Sequence, residues 1–365
     1  MKIIFLDFDD IKNPLLGAGQ ARATLEVGSR LARMGHTVIS LCSRYPHSQD
    51  RTESGVTYKH IGWGTADIRL NNLGYLLSIP FAVMRLKADI IIECFTAPCS
   101  SLFSPLFTHI PVVALPTVFA AESFAKKYHL PLQLVEAVGC KLYKYFMPYI
   151  PTDLAKMKKY NPNIISRMIG QGVSKEYIQL KPQKPKHVLY LGRYDMAQKG
   201  VDLLVKAYAV VSKDMPYPLV IAGHGQDEKK IKNLITQFHM ENKISLVGGA
   251  YGNRKMELLA QAAYVVMPSR YDNLPLFALE ALASGLPLVT FATEEFSWLK
   301  PQFSIQATPF DPMEYGEKMI ALSKSSKLVA MRKHARIYAK QFTWDHIANQ
   351  MEDFFQYIIK KEAQI

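Results

Sequence analysis

Residues 268–291, PSRYDNLPLFALEALASGLPLVTF, decide how the rest of this chain is read. The apolar run before them, Tyr264 to Met267, ends at a Pro-Ser turn, as a buried parallel strand does. Asp272 or Asn273 is then placed to cap a helix that opens with Pro275 near its first position, where a missing N–H costs nothing. Leu276, Leu279, Leu282 and Ala283 fall on one side of that helix, Gly285 ends it, and LPLVTF reads as the next strand. A strand, a helix start and a second strand form an anion site when the free N–H groups of the helix start face a cleft.

Two acids ride on this unit. Asp272 stands just before the helix and Glu280 on its second turn, about 7 Å beyond Pro275 at the rise of an α-helix. A phosphate at the helix start would leave Glu280 level with a neighbouring ribose, whose paired hydroxyls suit a carboxylate. A Rossmann-like unit with two solvated acids is the plainer alternative.

Upstream, the stretch Lys181 to Val188 (KPQKPKHV) is polar and twice broken by Pro, which marks a domain boundary. Strands are predicted at His187–Gly192, Pro218–Ala222 and Lys243–Gly248, with helices after Gly200, from Asp227 and from Asn253. Such spacing suits repeated βα units. Arg193 and Lys199, in LGRYDMAQKG, lie at or beyond the carboxyl end of the first of these strands, where open α/β sheets bind ligands. A rigid guanidinium fork and a mobile ammonium could together neutralise a diphosphate. Gly223 and Gly225, flanking His224 at the next strand end, permit close backbone approach to a base or phosphate.

The first half alternates in the same way. Strands are predicted at Lys2–Phe8, HTVISLC, Val56–Ile61, Ala88–Cys94, Pro111–Leu115 and Ile164–Gly170, with a helix from Ala21 to Met34. The element GAGQAR, Gly17 to Arg22, departs from a dinucleotide fingerprint: Arg22 takes the third Gly position, and the second strand ends in Cys42, Ser43, Arg44 without an acid. An NADP-dependent oxidoreductase therefore stays open only as an alternative. The loop with Gly17 and Gly19 still offers N–H groups to an anion. Asp7, Asp9 and Asp10 follow the first strand, where they can cap turns or reach a ligand.

Length and composition agree with two well-filled domains: 365 residues, 49% hydrophobic, no low-complexity tract. The net charge of +13 is shared by both halves, which favours anionic partners: nucleotide-sugars, phospholipid surfaces or nucleic acid. Cys42, Cys94, Cys99 and Cys140 form no CxxC pair and read as reduced core thiols of a cytoplasmic protein. The apolar windows around Leu73–Met84 and Ile110–Ala121 are too short, and too broken by Pro, to span a bilayer. Segments 68–87 and 131–160 are weighed apart, and the second raises peripheral membrane contact instead. In the second, Lys141, Lys144, Lys156, Lys158 and Lys159 mingle with Leu142, Tyr143, Tyr145, Phe146, Met147 and Tyr149, which suits an anionic inner membrane face or an ordinary helix with a solvated Lys side.

GRYDMAQKG, IAGHGQ and PSRYDNLPLFALEALASGLPLV, together with GAGQARATLEVGSRLARMGHTV at 17–38, resemble glycosyltransferase family 4, the retaining enzymes of the GT-B fold. The resemblance spans nearly the whole chain. It implies an α/β, GT-B protein of two Rossmann-like parallel-sheet domains facing an interdomain cleft. Residues 1–180 would be the acceptor-side domain, 181–342 the nucleotide-sugar domain, and a last helix near 343–361 would pack back on the first. By position, Arg193 and Lys199 would hold the diphosphate of a UDP- or GDP-sugar, Glu280 the ribose, and Asp272 would face the donor sugar. Backbone N–H groups of Asn273, Leu274 and Leu276 would touch sugar or diphosphate, whereas Pro275 has none to give. The activity implied is retaining, metal-independent hexosyl transfer to a hydroxyl acceptor, lipid-linked or saccharide, in cell-envelope glycolipid or polysaccharide synthesis. No nucleic acid partner and no resident cofactor are implied. Thr117 stands where the family often has a His, so no proton shuttle is expected there, and nearby Glu122 reads as a helix-start acid. A non-catalytic scaffold of the same fold would bind no nucleotide.

Overall fold

The structure is a computed structural model that describes residues 1–364 except Gly17, Ala18, Ala97, Cys99, Val118, Ala120 and Asn273, and the side chains of Ser123, Lys126 and Lys127. The chain divides into two units, Met1–Gly172 with Trp344–Ile365, and Val173–Thr343.

The first unit is built on eight strands: β1 (Lys2–Leu6), β2 (Thr37–Ser43), β3 (Arg51–Glu53), β4 (Val56–Ile61), β5 (Ile90–Cys94), β6 (Val112–Leu115), β7 (Tyr145–Phe146) and β8 (Ile165–Ser166). Their order across the sheet is β3-β4-β2-β1-β5-β6-β7-β8. All neighbours are parallel except β3, an antiparallel edge strand on β4. Ile3, Ile4, Phe5 and Leu6 in β1, and Ile90 to Ile92 in β5, are almost wholly buried, as strands covered on both faces must be. The helices are α1 (Gly19–Arg33), α2 (Ile68–Met84), α3 (Ala121–Tyr128), α4 (Leu132–Cys140) and α5 (Pro151–Tyr160). Tyr75, Ile79 and Val83 of α2 share a core cluster with Cys140, Tyr143, Phe146 and Met157.

The second unit has six parallel strands, β9 (His187–Leu191), β10 (Leu219–Ala222), β11 (Ile244–Leu246), β12 (Ala262–Met267), β13 (Leu288–Phe291) and β14 (Ser304–Ala307), in the order β11-β10-β9-β12-β13-β14. Its helices are α6 (Lys175–Gln179), α7 (Met196–Lys199), α8 (Val201–Val211), α9 (Glu228–Gln237), α10 (Gly252–Ala260), α11 (Leu276–Ala283), α12 (Pro312–Ser323) and α13 (Leu328–Ala339). The last helix, α14 (Trp344–Glu362), belongs to the first unit. It buries Trp344, Ile347, Met351, Phe354, Phe355 and Ile358 at helical spacing. Ion pairs Arg30–Asp345 (2.6 Å) and Lys144–Glu362 (2.7 Å) hold its two ends.

Three expectations are corrected here. The boundary falls after Gly172, not at 180. Val173 bridges to Thr343, Arg336 donates to the Leu180 carbonyl, and Lys255 lies over the Tyr177 ring, so 173–180 is tied to the second unit. In the basic and aromatic mixture at 131–160, Lys141, Lys144, Lys158 and Lys159 are exposed but the aromatics do not join them at the surface. Tyr143, Tyr145, Phe146, Met147 and Tyr149 are buried, because the chain crosses the sheet there as β7. Finally, the strand expected at 164–170 shortens to Ile165–Ser166.

Cys42, Cys94 and Cys140 are buried thiols, and Cys99 lies outside the described residues. Among the described residues no helix is long and apolar enough to cross a membrane.

Candidate functional site

In the second unit the chain leaves β9 toward β10 and β11 on one side and later returns as β12 on the other. The gap between the carboxyl ends of β9 and β12 is thus the switch point of the sheet, where the loops diverge and leave a crevice. Arg193, Lys199, Asp272 and the start of α11 all come from the two loops that border it.

After β9 the chain turns through Gly192 to Asp195. The Asp195 carboxylate accepts from the Gln198 N–H (3.0 Å) and starts the single turn of α7, which ends in Lys199. Gly200 stops it with φ +63°, and a Cβ there would collide with the Pro268 carbonyl at the end of β12. That contact sets the two loops edge to edge. Arg270 then stitches them. Its guanidinium grips Asp202 through two 2.8 Å bonds and donates to the Met196 carbonyl (2.5 Å), and its N–H donates to Gln198 O (2.8 Å). The Asp202 carboxylate pushes the Arg270 guanidinium above its ordinary range.

This frame brings Lys199 Nζ to 2.5 Å from Asp272 Oδ2, with 16% and 10% of the two side chains exposed. Ser269 Oγ donates to the same oxygen at 3.2 Å. Arg193 is exposed on the same loop and donates to Gln198 Oε1 at 2.5 Å. The site therefore offers one solvent-facing guanidinium and one ammonium that has already met a carboxylate but keeps further donors.

The helix start differs from expectation. Pro275 occupies the cap position and α11 begins at Leu276, so the cap has no side-chain acceptor. Asn273 lies outside the described residues, and Asp272 is engaged by Lys199. Leu274 is buried, while Leu276 is half-buried. The first N–H groups of any helix lack intrahelical acceptors, and these open beside the Lys199–Asp272 pair in sequence and topology. At the other end Gly285 (φ +77°) follows the cap, and the Leu286 N–H reaches back to Ala281 O (2.9 Å).

Glu280 is not drawn to Lys199. Its carboxylate takes Lys255 Nζ of α10 at 2.5 Å, both side chains 16% exposed. Lys255 also lies 5.2 Å from the Tyr177 ring and 5.8 Å from that of Phe277. Lys255, Arg270, Asp202, Asp195 and Ser269 were not singled out from the sequence. Gly223 and Gly225 serve close packing inside the protein: a Cβ at the first would strike the Gly192 carbonyl, and at the second the Tyr194 backbone. The loops after β9 and β10 are pressed together as a result, with the Tyr194 N–H donating to His224 O (2.7 Å).

The first-unit candidates part company. Gly19 opens α1, and Gly17 lies outside the described residues. Thr117 Oγ1 donates to the Phe95 carbonyl at 2.5 Å, tying the ends of β5 and β6. Asp10 is buried under a bidentate Arg51 (2.5 and 2.7 Å), His60 Nε2 (3.0 Å), Tyr45 OH (2.9 Å) and the Lys12 N–H (3.1 Å). Burial alone would raise its carboxyl, but Arg51 and the other donors outweigh that and hold it well below the carboxylate range. Asp7, three residues earlier, accepts from Thr24 Oγ1 yet is pushed up to about 7 by burial.

Comparison with known proteins bears on the family and the fold. Residues 174–342 match the family model described as glycosyl transferases group 1. Mannosylfructose-phosphate synthase of Agrobacterium fabrum is 29% identical over 179 residues, 46% of this chain and 39% of that protein. Across such curated relatives the chain spans between 26% and 59% of their length. Sucrose-phosphate synthase from Thermosynechococcus elongatus superposes with a TM-score of 0.82 over 99% of both chains at 16% identity. Anabaena HepE, solved with UDP, gives 0.73 over 98% of this chain and 100% of that one at 14% identity. At those identities the structural likeness is one of fold. Residues 174–342 thus match the group 1 glycosyl transferases, and the chain as a whole has the two-unit α/β fold of the GT-B glycosyltransferases.

Proposed function

We propose that the protein is a retaining glycosyltransferase of family 4 type, moving a hexose from a nucleoside-diphosphate sugar to a hydroxyl of a lipid-linked or saccharide acceptor in cell-envelope glycan or glycolipid synthesis. The observation that carries this reading is the gathering of Arg193, the Lys199–Asp272 pair and the α11 start at one sheet switch point. The match to group 1 glycosyl transferases, and the UDP held by a protein of the same fold, support it.

The chemistry follows from where charge develops. As the bond from the anomeric carbon to the diphosphate breaks, the sugar becomes oxocarbenium-like and negative charge grows on the leaving phosphate. Lys199 directs its remaining N–H donors to that phosphate while Asp272 and Ser269 fix its position. Arg193 and the α11 N–H groups meet the other oxygens and gain strength as the charge grows. Retention follows if the acceptor attacks on the face the phosphate leaves, with the phosphate taking the proton. Glu280, steadied by Lys255, accepts from the ribose hydroxyls. Because cationic side chains meet the leaving group, chelation leaves turnover unchanged in this reading.

The test has two parts. A thermal-shift panel of UDP, GDP and their sugars identifies the donor through a rise in melting temperature. With that donor, Lys199→Ala loses about two to three orders of magnitude in kcat/KM, the scale of a lost transition-state donor. Near-normal turnover of the folded variant, or no stabilisation by any nucleotide, sinks the proposal.

A further inference from the structure

Helix α2 is apolar on both of its faces. Asn71, Gly74, Tyr75, Ile79 and Val83 are buried against the first sheet. On the opposite side Leu70, Leu73, Leu77, Phe81 and Met84 recur at steps of three and four residues, and all are exposed, Phe81 by 63%. A helix hydrophobic all round is expected in a core or against lipid, not with one such face in water. The stripe runs for about 20 Å at the rise of an α-helix. Leu106, from the short turn Ser104–Leu106 packed against α2, adds another exposed apolar side chain (61%).

What borders the stripe indicates what covers it. Arg69, Arg85 and Lys87 are exposed around α2, and no acid occurs between Ile68 and Ala88. The acids that bracket it are Asp67, whose carboxylate caps the helix by accepting from the Arg69 N–H (2.7 Å), and Asp89, whose carboxylate accepts from the Lys2 N–H (2.6 Å). Trp63 lies against Gly74, where a Cβ would come within 2.8 Å of its ring, and is 46% exposed beside the stripe. An apolar face with a half-sunk Trp, three exposed cations beside it and both bracketing acids bonded to backbone N–H groups has the make-up of an interfacial helix on anionic lipid. A second copy of this chain would bring the same cations toward each other, which disfavours pairing through this face.

We propose that the exposed face of α2 (Leu70, Leu73, Leu77, Phe81 and Met84, with Trp63) seats the protein on the surface of an anionic phospholipid bilayer. The apolar side chains enter the acyl boundary, Trp63 sits at headgroup level, and Arg69, Arg85 and Lys87 meet the lipid phosphates. The site is independent of the sugar-transfer reading and holds whichever way that falls.

The test uses the full chain with vesicles of phosphatidylcholine alone or containing about one-third phosphatidylglycerol. Binding to the anionic vesicles at low salt, weakened by added salt, is expected in co-sedimentation. The other two tryptophans, Trp298 and Trp344, are buried, so quenching of emission by brominated acyl chains reports on Trp63. Leu77→Asp with Phe81→Asp lowers vesicle partition at least about tenfold with the melting temperature unchanged, since both residues are exposed. Val329→Asp, a highly exposed apolar position in the second unit, changes nothing. Absence of binding, binding indifferent to the double variant, or a dimer in sedimentation velocity that the double variant abolishes each overturn the assignment.

Discussion

The two sheets present the ends of their first strands very differently. After β9 come Arg193 and Lys199, cations that remain partly open to solvent, the first bonded to Gln198 and the second to the Asp272 carboxylate. After β1 come Asp7, Asp9 and Asp10, acids at most 6% exposed, with Arg51, His60 and Tyr45 brought in to cover Asp10. The same topological position thus holds a reachable charge in one unit and a sealed one in the other. A reachable cation can exchange its neighbours for a ligand at little cost. A sealed carboxylate cannot do so without breaking bonds that hold the fold. On the proposed reading, donor chemistry belongs to the β9 end, and the acids of the β1 end serve stability.

The sharpest way to break that contrast is Asp10→Ala. It leaves Arg51 and His60 facing a buried void and should lower unfolding free energy by about 3–5 kcal/mol, the usual result of removing one partner of a buried pair. Denaturant titration measures it, with nucleotide affinity of the folded variant unchanged. A loss of affinity without a loss of stability would reverse the assignment of the two ends.

Asp7 sharpens the same point through pH. With its carboxyl raised from 3.8 to about 7 by burial, the native chain keeps a proton that the unfolded chain has released throughout that window. Stability from this group therefore falls as pH rises from about 4 to about 7 and levels off above. A shift of that size corresponds to at most about 4 kcal/mol. Asp7→Asn, neutral at every pH, should flatten the fall in melting temperature between pH 5 and pH 8. Parallel pH profiles for the two proteins would show that Asp7 titrates as an ordinary surface acid. Asp10 works in the opposite sense, only in acid, as falling pH protonates it.

How far these features could be read from residues alone depended on the range of the contacts involved. Apolar runs marked β1, β2, β4, β9, β12 and α11, the last four closed by Gly or Pro, because strand and helix periods are local. Strand β3 (RTE) and strand β7 (Tyr145–Phe146) are too short to carry a period, and missing β7 left a stretch of core aromatics open to being read as a surface or a helix. The loops bearing Lys199 and Asp272 were legible as strand ends. Their partners were not: Arg270–Asp202 joins residues 68 apart and Lys255–Glu280 residues 25 apart, and no local pattern announces a pair that packing creates. Pro275 was misjudged by one position, since it serves as well in the cap as in the first turn.

Lys255 offers the smallest but most selective test. In the donor reading Glu280 clasps the ribose hydroxyls, yet its carboxylate is held by Lys255 at 2.5 Å, and Lys255 also lies over the Tyr177 and Phe277 rings. If the lysine sets the carboxylate's direction, Lys255→Met should weaken binding of the nucleoside diphosphate by about tenfold, or roughly 1.4 kcal/mol, the size of one charge-assisted hydrogen bond. The same variant should bind the 2′,3′-dideoxy nucleotide as the unaltered protein does, because that ligand has no hydroxyls for Glu280 to hold. Calorimetry on the two ligands separates the outcomes. Equal weakening for both would mean that Lys255 acts on the phosphates or merely supports α10. No weakening for either would leave Glu280 with a structural role and move ribose recognition elsewhere in the β9–β12 crevice.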